Sequence, residues 1–476
     1  MSNKMNLTML TDFYELTMAN GSFETGMAED IAYFDVFFRQ IPDDGGFAIY
    51  AGLEQVIEYM QNLRFTEEDI AFLRGKGCFH EKFLDYLRHF TFTCDVWSIT
   101  EGTPIFPGEP IMTVRGPVIQ AQFVETMVLL LINHQTLIAT KTNRIVRSAK
   151  GRAVMEFGSR RAHGADAAIY GARAAYIAGA VGTACTVCER DMGIKALGTM
   201  AHSWVQMFPN EYEAFKAYAE IYPENCTLLV DTYNVLKSGV PAAIKVFKEM
   251  KPKSMGIRID SGDVAYLTKM SRRMLDDAGL TECKISVSNS LDEHIIRDVI
   301  AQGARIDAFG VGERLITAKS SPVFGGVYKL CALEKQGEMI PKMKISENVG
   351  KITNPGFKTL YRLFDKDTGR ALVDLICLDE EPMPDGREIE IFDPLAVWKR
   401  KKVSNYRAEN LRTPIFEKGK LVYKQPSIDE IRTYCQNQID SLWDEMLRFE
   451  NPQTYYVDLS HKLWELKQKL LNEHKL

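Results

Sequence analysis

Six short apolar runs between residues 150 and 312 each end in a residue that can do chemistry or let backbone approach an anion. They are Glu156 in RAVMEFGSRR, His202 in ALGTMAHS, Asp231 in CTLLVDTYN, Asp260 in MGIRIDSGD, Asn289 in KISVSNS and Gly310 in RIDAFGVG. The successive steps are 46, 29, 29, 29 and 21 residues. A strand–helix unit takes roughly 30 residues, so four of the five steps fit one unit each, and the first has room for extra helix. The repetition predicts parallel strands with outer helices. Polar residues recurring at the same strand end favour a closed barrel, where chemistry collects at that end. GIKALGTMAHSWVQMF (193–208) reads as a buried strand that stops at His202. Its imidazole would then share a rim with Glu156, Asp231, Asp260 and Asn289. Strands also end in polar residues simply because they end at the surface, but five residues in step favour a site.

The residue types say what such a site could do. Arg160, Arg161 and His163 follow the first run. Arginine forks match phosphate and carboxylate oxygens bidentately, although one of these two arginines is expected to pair with a surface acid. RIDSGD offers Arg258 for an anionic ligand, with Asp260 and Asp263 for magnesium or a developing positive charge. Gly310 and Gly312, and the pair Gly325–Gly326 in PVFGGVYKL, read as two glycine loops on adjacent late barrel strands. That is where barrels often hold phosphate, and tight turns are the alternative. An HExxH helix, a Walker A loop, a long Rossmann fingerprint and a GxSxG elbow are all absent from the sequence.

The chain has 476 residues, 46% hydrophobic and 25% charged, which predicts a globular protein of two or three domains. A net charge of -5 argues against a nucleic-acid binder. The one dense basic run, Lys399 to Lys402, reads as a solvated helix or loop face. Nine cysteines imply no disulfide framework and fit a reducing cytoplasm. Cys185 and Cys188 form a lone CxxC that reads as two core thiols, with zinc or redox use as the alternative. The first residues lack the apolar block of a signal peptide. The most apolar stretch, Val128 to Ile132, is too short to span a bilayer.

Outside the barrel the patterns differ. Residues 51–62, 66–74 and 80–90 show helical spacing. FTCDVWSITEGTPIFPGEPIMTVRGP alternates and breaks at Gly and Pro, as short antiparallel strands do. After about residue 335 the pattern is antiparallel again, with a turn at Asp-Lys-Asp-Thr-Gly. Residues 427–448 and 457–474 read as amphipathic helices. The expected division is an α+β part over 1–135, an α/β barrel over 136–332 and a C-terminal β and helical segment over 333–476.

The stretches TDFYELTMA (11–19), EFGSRRAHG (156–164), GTMAHSWVQ (198–206), VDTYN (230–234), IRIDSGD (257–263), VSNSLDE (287–293), FGVG (309–312) and GGVYKL (325–330) carry a resemblance. Together they are similar to the nicotinate phosphoribosyltransferases of the long bacterial type, in that family's order and over almost the whole chain. The resemblance implies a type II phosphoribosyltransferase fold: an irregular α/β barrel with an α+β domain built from both chain ends. It implies a homodimer with shared active sites, and magnesium. It also implies an ATP-coupled reaction of nicotinate with phosphoribosyl pyrophosphate, giving nicotinate mononucleotide and pyrophosphate.

Carried over by position, His202 resembles the phosphorylated histidine. Phe157 and a partner subunit's Tyr14 resemble the aromatic faces around the pyridine ring. Arg160, Arg258 and Thr199 resemble ligand contacts, and Asp260 stands near ribose and magnesium. Asp231, Ser261, Gly262, Gly310, Gly312, Gly325 and Gly326 would hold the phosphoribose and its phosphate.

Two positions depart from the family. Glu313 replaces a threonine after GVG; a carboxylate beside phosphate would repel it unless it points away or meets a cation such as Arg314, and Glu313 is expected to face away, with backbone amides doing the binding. Gly182-Thr183-Ala184 lacks the aspartate that the related nicotinamide enzymes carry, which favours a carboxylate substrate. Nicotinamide or quinolinate transferases, and a non-catalytic nucleotide-binding relative, are the alternatives.

Overall fold

The computed structural model describes residues 6–473 apart from 385 and 395. It divides the chain into two units. The first joins the residues up to Thr136 with those from Val323 onward, and the second is Leu137–Pro322.

In the first unit, seven strands form a sheet in the spatial order Glu338–Pro341, Gly326–Lys335, Ile31–Phe38, Met112–Pro117, Asp95–Ile99, Arg412–Glu417, Lys420–Leu421. Ile31–Phe38 is buried nearly throughout, so it occupies the middle. Its antiparallel partners are Gly326–Lys335 on one side and Met112–Pro117 on the other. A second sheet pairs Tyr406–Asn410, Lys358–Asp365, Ala371–Leu378 and Val457–Leu459. The turn at Asp365–Gly369 forms as expected. Asp365 Oδ1 accepts from the amides of Asp367 and Thr368, and Gly369 takes φ +69°.

Several sequence expectations need adjusting. The segment 457–474 is a strand over Val457–Leu459 followed by a helix over His461–Glu473. The segment 427–448 is a helix over Ile428–Asp440, fixed by a Ser427–Glu430 capping box, and then a short 3-10 turn. Arg400–Val403 is a hairpin strand and not a helix or loop face. Two of its cations meet Glu390 and Glu388 at 2.8 and 2.7 Å. The stretch Val118–Ser148 is long and apolar enough to cross a membrane, and 67% of its most apolar window is buried within the protein. The expectation of a short apolar patch there understated its length. Cys188 is buried with its thiol toward the Ile169 carbonyl, whereas Cys185 is only half buried.

The second unit holds five parallel strands, β1 (Ala153–Glu156), β2 (Cys226–Leu229), β3 (Met255–Ile259), β4 (Lys284–Ser288) and β5 (Ala308–Val311), in the spatial order β1-β5-β4-β3-β2. Two single bridges continue it, Glu156 to Thr183 and Thr183 to Ala196. The last strand therefore pairs with the first, and the chain winds once around seven strand positions. Between Ala196 and β2 no ladder closes the ring, so the barrel is irregular. The long first step contains two helices, α1 (Ala165–Ile177) and α2 (Thr186–Met192), and an additional strand position at Thr183.

Two corrections concern the barrel. The run ending at His202 is not a buried strand. It makes one bridge, at Ala196, and His202 is the first residue of a short helix, α3 (His202–Gln206). Gly193 and Gly198 weaken it as a strand, and no partner strand lies on its open side. Gly325 and Gly326 are not on a late barrel strand. Gly326 opens the strand that pairs with Ile31–Phe38, so the barrel unit ends before the expected residue 332.

Candidate active site

The C-terminal ends of the barrel strands do gather the reactive residues. Asp231 lies two residues past β2, Asp260 one past β3, and Asn289 one past β4. His202 joins them across the open seam. Its Nδ1 lies 3.2 Å from Thr232 Oγ1, and its Nε2 lies 3.9 Å from both Asp231 Oδ1 and Asp260 Oδ2. The imidazole is partly open to solvent, whereas the Asp231 side chain is 1% exposed.

Each carboxylate is held from behind. Asp231 Oδ2 accepts from the Asp260 amide at 3.1 Å and from Ser261 Oγ at 2.6 Å. Asp231 Oδ1 is buried with no hydrogen-bond donor. Ser288 Oγ donates to Asp260 Oδ1 in a very short contact. Gly262 makes the following turn at φ +81°, a conformation that glycine adopts without strain. Asp263, considered above for magnesium, instead caps the helix α6, which runs Val264–Asp277 with α4 (Glu211–Ile221) and α5 (Val240–Met250) before it. The Asp263 carboxylate accepts from the Tyr266 amide at 2.8 Å.

The segment before His202 is fixed by side chains where it lacks a ladder. Arg258 Nη1 donates to Thr199 Oγ1 at 2.5 Å, and Tyr218 Oη donates to the Thr199 carbonyl at 3.3 Å. Trp204 Nε1 donates to the Ala214 carbonyl of α4 at 3.2 Å. Burial pushes the Arg258 guanidinium below its ordinary value, against the opposing pull of Asp260 and Asp231. Its Nε is buried without an acceptor. The result is a dehydrated cation with unused donor capacity at the rim.

The rim continues through β4 and β5 to β1. Gly310 pairs with Ser288, and Phe157 donates its amide to the Val311 carbonyl at 2.7 Å. The Phe157 ring lies so close over Gly310 that a Cβ there would meet the ring at 2.5 Å. Glycine is required for that approach and not for a positive φ. Buried Glu156 sets the Phe157 turn, accepting from the Gly158 amide and from Thr183 Oγ1 at 2.6 Å. Burial raises its carboxyl above the usual range. Ala184 follows the bridged Thr183, in step with Phe157, and is exposed.

Arg160, Arg161 and His163 are exposed just beyond, on and after the 3-10 turn Ser159–Arg161. Arg160 is near enough to lower Arg258 further. Gly312 precedes a one-turn helix, Glu313–Ile316. Glu313 meets Lys319 Nζ at 2.7 Å. Arg314, the cation named as an example, is engaged by Asp292. Lys319 holds the Glu313 carboxyl below its usual value.

The expected residues of the barrel unit therefore form a continuous rim from His202 through Asp231 and Asp260 to Gly310 and Phe157, with Ser288 linking Asp260 to Gly310. Gly325, Gly326 and Tyr14 belong to the other unit. Tyr14 lies on the helix Phe13–Glu24 with its side chain exposed. Thr232 and Ser288 were not singled out in the sequence, and Thr183 was named there only beside Ala184, for substrate choice and not as the partner of Glu156. Their signal was faint: hydroxyl residues adjacent to, or in step with, the run-end acids.

Comparison with known proteins follows the same line. The family model described as the nicotinate phosphoribosyltransferase N-terminal domain matches residues 9–133, and that of the C-terminal domain matches 357–467. The chain is 44% identical to a nicotinate phosphoribosyltransferase of Bacillus subtilis over 99% of this chain and 96% of that protein. It is 38% identical to one of Mycobacterium tuberculosis over 96% and 92%. The crystal structure of human nicotinic acid phosphoribosyltransferase superposes with a TM-score of 0.86 at 28% identity, covering 97% of this chain and 100% of that one.

Proposed function

The chain belongs to the nicotinate phosphoribosyltransferase family, and from that membership we propose how its barrel rim works. The activity is transfer of phosphoribose from phosphoribosyl pyrophosphate to nicotinate. A bond forms from the pyridine nitrogen to the anomeric carbon, and the bond to pyrophosphate breaks. The product is nicotinate mononucleotide, an intermediate of pyridine nucleotide biosynthesis. Phe157 offers an aromatic face for the ring. Arg258, dehydrated and short of acceptors, offers a cation for the nicotinate carboxylate, with Arg160 beside it. Ala184 puts no negative charge against that carboxylate. Asp231 and Asp260 oppose the positive charge that grows on the sugar as pyrophosphate leaves. Gly310 is covered by the Phe157 ring, so at this turn Gly312 is the glycine that offers backbone to the 5′-phosphate.

ATP coupling through His202 is the finer part of the proposal, and one observation carries it. The imidazole sits between a hydroxyl on Nδ1 and two carboxylates on the Nε2 side. Two carboxylates favour the tautomer with its proton on Nε2. Nδ1 then keeps its lone pair; Thr232 donates to it in the resting site, which fixes the ring's orientation, and turns away as ATP takes its place. Attack by Nδ1 on the terminal phosphorus of ATP forms the N–P bond, and ADP leaves with the electrons of the broken O–P bond. The ring becomes cationic, and Asp231 and Asp260 stand where that charge is balanced. Water later cleaves the N–P bond and releases phosphate.

The carboxylates also fit a magnesium ion. Asp231 Oδ1 is a buried oxygen without a donor, and Asp260 Oδ2 faces the same space. Magnesium takes one or two such oxygens together with substrate phosphates, and when bound it would neutralise the pyrophosphate. A homodimer is proposed as well. Leu10, Phe13, Tyr14 and Met18 are all exposed on or just before one helix, an apolar face that a second subunit would cover.

The test is product formation from nicotinate and phosphoribosyl pyrophosphate, with and without ATP. Nicotinate mononucleotide is expected, with ATP increasing the rate and ADP appearing. Nicotinamide and quinolinate should neither compete nor react. Quinolinate turnover with carbon dioxide release, or no product from any of the three pyridines, would overturn the reading.

A further inference from the structure

The first unit carries a cavity of about 260 Å³ between the strand Ile31–Phe38, the segment 349–358 and the C-terminal helix. Its charge is unbalanced. Three cations line it, Arg39, Lys358 and Lys467, and Asp35 is the only carboxylate among the lining residues. Asp35 is already committed, because its Oδ2 meets Lys358 Nζ at 2.7 Å and its Oδ1 accepts from Thr113. Lys358 spends its other donors on the carbonyls of Asn354 and Gly356.

Among the described residues Lys467 has no such neutralising partner. Its Nζ donates to Asn354 Oδ1 at 2.8 Å, an uncharged acceptor, while Lys358 stands on the same residue's backbone. Burial first, and then the neighbouring Lys358, push Lys467 down to about 8. Arg39 uses its Nε on the Gly350 carbonyl at 3.1 Å and packs over Phe37, which leaves the terminal nitrogens of its fork for another acceptor. Lys467, largely buried, and Arg39, partly open to solvent, thus bring spare donors to one cavity whose lining carboxylate is already engaged. A largely buried ammonium that meets only a neutral acceptor is costly, and an anion held between it and the Arg39 fork would relieve that cost.

We propose that this cavity is an anion site of the first unit that takes a phosphoryl group. A tetrahedral phosphoryl oxygen set suits an arginine fork opposed by an ammonium better than a single-point halide does. Every reactant and product of the main reaction except nicotinate carries such a group, so occupancy would follow phosphate supply or product level. The source is inorganic phosphate, pyrophosphate or the phosphate chain of ATP. All three share the recognised chemistry.

The site can be read at one atom. Lysines are dimethylated with ¹³C-formaldehyde, and the Lys467 signal is identified by its absence from Lys467→Met. The protein is then titrated with inorganic phosphate, pyrophosphate or ATP at constant ionic strength, with chloride as control. At least one of the three should move the Lys467 resonance and raise the pH at which it titrates. Phosphate alone sufficing identifies the phosphoryl group as the recognised unit, and a response to ATP only assigns the site to a nucleotide. Calorimetry on unmodified protein should show one class of phosphoryl binding weakened at least about tenfold in Lys467→Met and retained in Lys467→Arg. Nicotinate mononucleotide synthesis without added anion should stay unchanged in both variants. A Lys467 signal that ignores all three anions, or that follows chloride equally, overturns the proposal.

Discussion

At the scale of residues, the site depends on pairs in which an obvious group is held by an inconspicuous one. His202, Asp231 and Asp260 were legible because they end apolar runs in step. Thr232 and Ser288 were not, because a hydroxyl beside a strand end carries no pattern of its own. Thr232→Val keeps the shape and removes the donor at Nδ1. Loss of one such bond is worth about 1–1.5 kcal/mol, so ATP-dependent turnover should fall about tenfold while the KM for nicotinate stays near wild type. Steady-state kinetics with and without ATP check this. Gly310→Ala acts on the aromatic wall instead. A Cβ at 2.5 Å from the Phe157 ring must displace it, so the KM for nicotinate should rise about tenfold or more with little change in ATP hydrolysis.

At the scale of elements, the sequence pattern anticipated β1 to β5 well, since each is a short apolar run ahead of a polar end. It mistook the His202 segment for another strand. That segment shares the composition of a strand but has no partner on its open side, and it is held by Arg258, Tyr218 and Trp204 through side-chain bonds. Such tertiary fixing leaves no periodicity to read. The loop after β2 is equally constrained. Gly239 packs so tightly that a Cβ would lie 1.9 Å from the Val230 carbonyl oxygen. Gly239→Ala must therefore push the Asp231–Thr232 loop outward. We expect a loss of about 2–4 kcal/mol in denaturant unfolding, together with activity well below that of Thr232→Val.

At the scale of the whole molecule, the interleaving of chain ends was legible only through the resemblance. Gly326–Lys335 pairs with Ile31–Phe38 across some three hundred residues, and no local pattern reports such a partner. This is why Gly325 and Gly326 were assigned to the barrel. Burial elsewhere in the first unit predicts a pH effect. Glu15 is buried, and burial first, with the nearby Glu125 carboxylate, raises its carboxyl from the ordinary 4.5 to about 7 against the opposing pull of Gln122 and Tyr14. A raised carboxylate binds its proton more tightly when folded, so stability falls as pH rises from about 4.5 to about 7 and then levels. Glu15→Gln removes that cost: its melting temperature should match wild type near pH 4 and exceed it increasingly up to pH 7–8. Thermal unfolding across that range checks the sign. If subunits share sites, mixing inactive Tyr14→Ala and His202→Ala chains should restore activity through hybrid dimers, whereas sites complete within one chain would gain nothing from mixing.

The most direct test of the account is transfer of label from γ-³²P-ATP to the protein. Wild type should acquire acid-labile, alkali-stable phosphate on His202. The label should be lost when nicotinate and phosphoribosyl pyrophosphate are added, and it should be absent from His202→Ala. Labelling of His202→Ala at the wild-type level, or a wild-type protein that turns over ATP without ever holding its phosphate, would contradict it.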